Sequence, residues 1–361
     1  MKIALNKPVV TDEMKQVVLT VMDSGRYVKG PEVEQFEHEF AQYCGAAHAV
    51  SMNSGTAALY CALRAIRVQP GDEIILPSLT FFATVEPIIM LGATPVFVDV
   101  NFDYLMRPDL VKKAITDRTK AIIPVQLYGQ MCNMTELERI NAQADVWVIE
   151  DAAQSVGARH HNLPGTRWAD ISCYSFFPSK NMTVLGEGGM CVTNDDVLAH
   201  KLRQVADHGR PSGSKYEHHE IGFNFRMSEL SAAIGREQLK YVDKWITAKR
   251  RNADLYYDAL VDVVTPTVWP WSYHTYHQFV IRVAPPDREP LRQYLAERGI
   301  ETGIHYKTPV HMQTMFNSGW LGRLPETETI VEQIISLPMH PELTDSEVSY
   351  VCDAIKEYYR A

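Results

Sequence analysis

Residues 174–189 read YSFFPSKNMTVLGEGG. One lysine, Lys180, stands there between an apolar run and a glycine cluster. The run Ile171–Phe177 (ISCYSFF) is rich in β-branched and aromatic residues and predicts a buried strand. Pro178 closes it, because proline has no N–H for a sheet ladder. Lys180 then falls just past a strand end, where α/β proteins gather their ligand contacts. Gly186, Gly188 and Gly189 let the backbone turn sharply or pass close to another group. A lysine on such a loop is otherwise a plain surface charge, and the rest of the chain has to decide between the two.

The chain has 361 residues, more than one core ordinarily fills. Two units are expected: a large domain over 1–240, and a linking helix with a smaller domain over 241–361. Hydrophobic residues make up 46% and charged residues 22%, the proportions of a globular protein in water. The net charge of −9 argues against a general nucleic-acid binder, which needs a basic surface. A small anionic substrate stays open, since a few arginines or backbone amides suffice. Cys44, Cys61, Cys132, Cys173, Cys191 and Cys352 show no metal-type spacing, so buried free thiols in a reducing cytoplasm are expected. The N-terminal MKIALNKPVV is too broken by Asn6, Lys7 and Pro8 to be a signal peptide. No apolar run is long enough to span a bilayer.

Working outward, strands and helices alternate. Strand His48–Met52 runs through Asn53-Ser54-Gly55-Thr56 into an apolar helix, Ala57–Ile66. That turn is either a plain helix cap by Ser54 or an anion cradle built on the helix N-terminus. Strand Glu73–Leu76, loop Pro77–Phe82, helix Ala83–Leu91 and strand Pro95–Val98 follow. Helix Pro108–Ile115, strand Ala121–Val125, helix Met134–Ala144 and strand Val146–Ile149 continue the alternation. The fold class is therefore α/β, with a largely parallel sheet covered on both faces. A long polar loop, His208–Gly222, leads to a helical stretch over 228–260 with a break near Tyr241–Lys244. Beyond Thr265, strand Gln278–Val283, helix Glu289–Glu297, strand Thr302–Ile304 and helices near 325–334 and 345–360 make the smaller unit.

Asp151 ends a buried strand and needs a partner there. It is either the cap of the following helix or the counter-ion of a cationic cofactor. No GxGxxG follows a strand, and no P-loop or HExxH is present. His160-His161 and His218-His219 are adjacent pairs, not the i,i+4 pairs that ligate a metal from one helix face, and no metal is expected. An anion cradle, the aromatic loop around Phe81, the aspartate and the lysine together suit pyridoxal phosphate. Its phosphate needs a helix N-terminus, its ring an aromatic face, its pyridine nitrogen a carboxylate and its aldehyde an amine.

The chain resembles the DegT/DnrJ/EryC1/StrS sugar aminotransferases, which have the aspartate-aminotransferase-like fold. The resemblance spans nearly all of 5–355. It rests on NSGTAAL (53–59), PSLTFFAT (77–84), LGATPVFVDV (91–100), RTKAIIPVQLYGQ (118–130), VIEDAAQSVGA (148–158), SFFPSKN (175–181), GEGGM (186–190) and GFNFRMSELSAAIG (222–235). It implies Lys180 as the Schiff-base lysine, Asp151 as partner of the pyridine nitrogen and Gln154 as neighbour of the ring hydroxyl. It implies Phe81 stacked on the ring, and Gly55, Thr56 and Ser175 around the phosphate. Asn224 would reach the cofactor of the other subunit in a homodimer with composite sites. His305 and Tyr306 would approach the sugar, and Arg226 and Lys215 are further substrate candidates. The implied reaction moves an amino group from L-glutamate, through the pyridoxamine form, to a keto sugar on a nucleoside diphosphate. The GEGG run after the lysine favours a 4-keto over a 3-keto acceptor. Sugar dehydratases of the family carry histidine at the position of Lys180, which argues against that activity. A regulator without turnover is the remaining alternative.

Overall fold

The computed structural model describes residues 2–211, 213–316 and 322–360. Its strands in chain order are β1 (His48–Met52), β2 (Glu73–Pro77), β3 (Thr94–Val98), β4 (Thr119–Ile122), β5 (Trp147–Asp151), a two-residue β6 (Arg159–His160), β7 (Ile171–Ser175), β8 (Gly189–Thr193), a two-residue β9 (Ser272–Tyr273), β10 (Phe279–Arg282) and β11 (Ile334–Leu337). Seven of them form one sheet in the order β1-β8-β7-β5-β4-β2-β3. The β3-β2-β4-β5-β7 pairings are parallel, while β8 runs antiparallel to both of its neighbours. Strands β2, β7 and β8 are buried at every position, as a sheet covered on both faces requires.

The helices are α1 (Asp12–Ser24), α2 (Pro31–Tyr43), α3 (Gly55–Ala65), α4 (Glu86–Met90), α5 (Pro108–Ala114), α6 (Met134–Ala144), α7 (Asp196–Ala206), α8 (Glu229–Leu239), α9 (Val242–Ala259), α10 (Pro285–Glu297), α11 (Pro325–Gln333) and α12 (Asp345–Arg360). Helix α3 is apolar all round, with Ala57 to Leu63 buried, so it lies inside the domain and not on its surface. It covers one face of the sheet with Cys173 and Cys191 beneath it. On the other face Phe36 and Phe40 of α2 pack on Tyr174 and Phe176. The six cysteines are buried and free. No helix among the described residues is long and apolar enough to cross a membrane.

Local readings shift at several places. The helix expected over 83–91 begins as a 3-10 turn, Phe82–Thr84, and becomes α-helical only at Glu86, where Pro87 sits in the first turn. Strand β7 stops at Ser175, opposite Gly189, two residues before Phe177. The glycine cluster is not only a turn, because Gly189 opens β8. The strand expected over 302–304 is a single bridge from Gly303 to Ser336. The break between α8 and α9 falls at Lys240–Tyr241.

The smaller unit pairs β10 with β11 and packs α9, α10 and α12 around Tyr256, Phe279, Leu291 and Val351. Ile3 joins that core: its N–H donates to the Gly299 carbonyl at 2.8 Å and its carbonyl accepts from Glu301 N–H at 2.9 Å. The N-terminal residues thus belong to the C-terminal core, although the sequence groups them with the large domain.

Candidate active site

The carboxyl ends of β1, β2, β5 and β7 surround a cavity of about 380 Å³, the size of a small-molecule site. At one end lies the start of α3. Ser54 caps it, its Oγ accepting from Ala57 N–H at 3.1 Å, and its carbonyl accepts from Ala58 N–H at 3.1 Å. The N–H groups of Gly55 and Thr56 keep no acceptor among the described residues. They point from the positive end of the helix dipole, which suits a phosphate. Ser175 closes this end from β7.

Two glycines make that convergence possible. A Cβ on Gly55 would stand 2.8 Å from Ser175 Cβ, and one on Gly189 would stand 2.2 Å from the Ser54 carbonyl oxygen. With side chains there, β8 could not lie between β1 and β7 while α3 touches Ser175. The glycine after the lysine therefore serves the cradle indirectly.

At the other end Asp151, the last residue of β5, is buried. Its Oδ2 accepts from Thr84 Oγ at 2.8 Å and its Oδ1 from Ala153 N–H at 3.1 Å. Burial raises its pKa, and Thr84, Ala153 and the Lys180 charge only partly oppose this. Lys180 faces the same cavity from the turn after β7, its N–H donating to the Phe177 carbonyl at 2.9 Å. Burial pushes its amine down to about 8, with Asp151 pulling the other way. The shift raises the share of free amine near neutral pH, the form that attacks a carbonyl.

Phe81 is exposed into the cavity mouth, its ring centroid 5.6 Å from that of Tyr306. Gln154 is fixed at both ends: Oε1 accepts from Tyr128 N–H at 2.7 Å and Nε2 donates to the Tyr306 hydroxyl at 3.0 Å. His305 lines the wall, hydrogen-bonded through Nδ1 to Ser336 Oγ at 2.8 Å. Burial, then the Lys180 charge, hold its pKa down to about 4, so it is neutral in use.

Gly55, Thr56, Phe81, Asp151, Gln154, Ser175, Lys180, His305 and Tyr306 thus line one cavity. Three candidates do not. Asn224 is exposed, its carbonyl accepting from Asn53 Nδ2 at 3.3 Å. Lys215 is exposed in the polar loop, of which Ser212 lies outside the described residues. Arg226 is bound to Asp207, a carboxylate that also takes Lys29 and Arg210, and it lines a separate cavity of about 500 Å³. Sequence reasoning gave no role to Thr84, whose hydroxyl holds Asp151, or to Tyr128, whose N–H holds Gln154. Thr84 sits in the quoted PSLTFFAT motif, three residues past Phe81, where the 3-10 turn brings its hydroxyl to Asp151. Among the described residues no group of three or more His, Cys, Asp or Glu side chains is placed to hold a metal.

The donor set fits pyridoxal phosphate: free N–H groups for a phosphate, a buried carboxylate short of a cation and a partly buried amine across the cavity. Fold and cavity together define an aspartate-aminotransferase-like enzyme that depends on pyridoxal phosphate. The model of the DegT/DnrJ/EryC1/StrS aminotransferase family matches residues 8–356, and the chain belongs to that family. It is 41% identical over 356 residues to a "Pleiotropic regulatory protein" of Geobacillus stearothermophilus, covering 96% of this chain and 95% of that one. It is 38% identical over 352 residues to the dTDP-3-amino-3,4,6-trideoxy-α-D-glucose transaminase of Streptomyces venezuelae, covering 96% and 92%. A solved structure of NtdA from Bacillus subtilis with bound pyridoxamine phosphate superposes with a TM-score of 0.91 at 31% identity, covering 98% of this chain and 83% of that one. The chain is accordingly, by class, an aminotransferase of that family.

Proposed function

We propose that this enzyme takes the amino group of L-glutamate and gives it to a keto sugar carried on a nucleoside diphosphate. It would do so in the cytoplasm, as a homodimer whose active sites borrow Asn224 from the neighbouring subunit. The observation that carries the reading is the pairing of Lys180 and Asp151 across one cavity, each pushed by burial toward its neutral form.

Bound pyridoxal phosphate would supply an aldehyde that condenses with amines and a ring that takes up electrons. Gly55, Thr56 and Ser175 would hold its phosphate and Gln154 its ring hydroxyl. Asp151 would hold a proton on the ring nitrogen, and the cation so formed would draw the carboxyl back to its ionised state. Phe81 would cover one ring face and keep water off it. Lys180 Nζ would bond the cofactor at rest. Displaced by the donor, it would take the proton from the donor α-carbon and return it one atom further on, a role matched to an amine with pKa about 8. Tyr306 and His305, both in the cavity wall, would meet the sugar.

The acceptor carbon needs an experiment. The GEGG run favours C4, whereas the Streptomyces relative is named for a 3-amino sugar. Glutamate added to the purified enzyme should convert its absorbance to that of the pyridoxamine form. Recovery of the aldehyde band with a panel of 3-keto and 4-keto nucleotide sugars then identifies the acceptor. No conversion by glutamate or any other amino donor would overturn the transaminase reading in favour of a regulator, the kind of role for which the Geobacillus relative is named.

A further inference from the structure

One buried amine has no part in the chemistry above. Lys249 lies on α9, which runs from the core around Val242 and Ile246 to the core around Ala253 and Tyr256. It is 4% exposed. Its Nζ donates to Asn181 Oδ1 at 2.8 Å, and burial, with no carboxylate opposing it, pushes its pKa down to about 7. An amine so placed is costly, and a methionine would fill the space without that cost. Its retention needs a reason beyond packing.

Asn181 is the residue after Lys180. Its Nδ2 donates to Thr275 Oγ at 2.9 Å, and Thr275 N–H donates to the Gly129 carbonyl at 2.9 Å. Next to Gly129, Tyr128 N–H holds Gln154 at 2.7 Å. A line of hydrogen bonds therefore runs from α9, past the residue bonded to Lys180, to the cavity wall. Asn181 and Thr275 are buried, so water does not compete for these bonds.

We infer that Lys249 is a positioning residue: through Asn181 it fixes the turn that carries Lys180 and so aims the Lys180 amine across the cavity. This rests on Lys180 being the amine that bonds the cofactor. The lysine donates whether charged or neutral, so the clamp holds on both sides of its pKa. It also ties the turn to α9, so a shift of α9 would move Lys180 with it.

The test compares Lys249→Met, Asn181→Leu, the double variant and Lys249→Arg as holoenzymes. Visible circular dichroism of the bound cofactor reports its setting, and stopped-flow absorbance reports the glutamate half-reaction. Lys249→Met and Asn181→Leu should each weaken the dichroism. Each should slow the half-reaction by about ten- to a hundredfold, the loss that misplacement by ~1 Å brings. The double variant should be no slower than either single one, because both cut the same link. Lys249→Arg, which keeps a donor, should recover most of the rate. The melting temperature of Lys249→Met should equal or exceed that of the wild type. Unchanged dichroism and rate in Lys249→Met would overturn the inference. So would additive losses in the double variant, or melting temperatures lowered in Lys249→Met and Lys249→Arg alike. If Lys249→Met does not fold, Asn181→Leu alone decides by the same two signals. Borohydride reduction of the wild-type holoenzyme with mass mapping tests the parent reading separately: a label away from Lys180 sinks that reading, whereas a label on Lys180 with unaltered Lys249→Met sinks only this one.

Discussion

Asp151 and Asp207 are two aspartates with opposite surroundings. Asp207 takes Lys29, Arg210 and Arg226 at once, and these hold its pKa far below the usual carboxylate range in spite of its partial burial. Asp151 receives one hydroxyl and one N–H, with the Lys180 amine across a cavity, and its pKa moves up. The first is a finished ionic knot. The second is a pair of groups kept short of partners, in a space of the right size for something to complete them. Perturbed groups at the walls of a cavity signal chemistry, and a fully compensated cluster signals architecture. Arg226, a substrate candidate from the sequence, belongs to the knot.

Substitutions can break or sharpen that contrast. The largest effect should come from Lys180→Ala, with turnover down by about four orders of magnitude or more and the melting temperature unchanged. Steady-state kinetics and calorimetry check both halves; wild-type turnover would remove Lys180 from its role. Asp151→Asn should cost about 100- to 1000-fold in the glutamate half-reaction, the scale of a lost electrostatic contact in a dry site. It should do little harm to the apoprotein, since burial already works against the charged form of the carboxyl there and an amide has no charge to desolvate. A drop in apoprotein stability would make Asp151 part of the architecture instead.

Asp207→Asn should do the reverse. We expect a loss of ~1–2 kcal/mol in urea unfolding, reduced by the solvent screening of a partly exposed group, with the half-reaction rate nearly kept. Because the folded pKa of Asp207 is depressed, its stabilisation is present above about pH 4, the unfolded value, and fades as pH falls below that. The mildest effect is the pH dependence set by Lys249. Its folded pKa of about 7 lies below the 10.5 of a free lysine, so between these the unfolded chain holds the extra proton and stability rises with pH. Lys249→Met should flatten that rise in melting curves taken across the interval.

Much of this was legible in the chain because it is local. Strand and helix alternation, Lys180 after a strand, Asp151 at a strand end and Ser54-Gly55-Thr56 at a helix start are all patterns within a few residues. What distance in the sequence hides is pairing. Gly189 looks like a turn residue until β8 is seen wedged between β1 and β7, where only a missing Cβ lets it pass the Ser54 carbonyl at the start of α3. His305 and Tyr306 join the cavity through Tyr128, whose hydroxyl donates to the His305 carbonyl, and through Gln154. Their sequence separation from those partners gives no periodic signal.

Residue types and short spacings determined the α/β class, the alternation and the chemical inventory of amine, carboxylate, aromatic ring and helix N-terminus. Tertiary structure decided which of these share one cavity, that Ile3 belongs to the distant C-terminal core, and that Lys249 reaches the residue beside Lys180. The reason is physical: propensity and capping act over a turn or two of chain. Desolvation, the force that shifts Asp151, Lys180 and Lys249, depends on what the whole fold stacks around them.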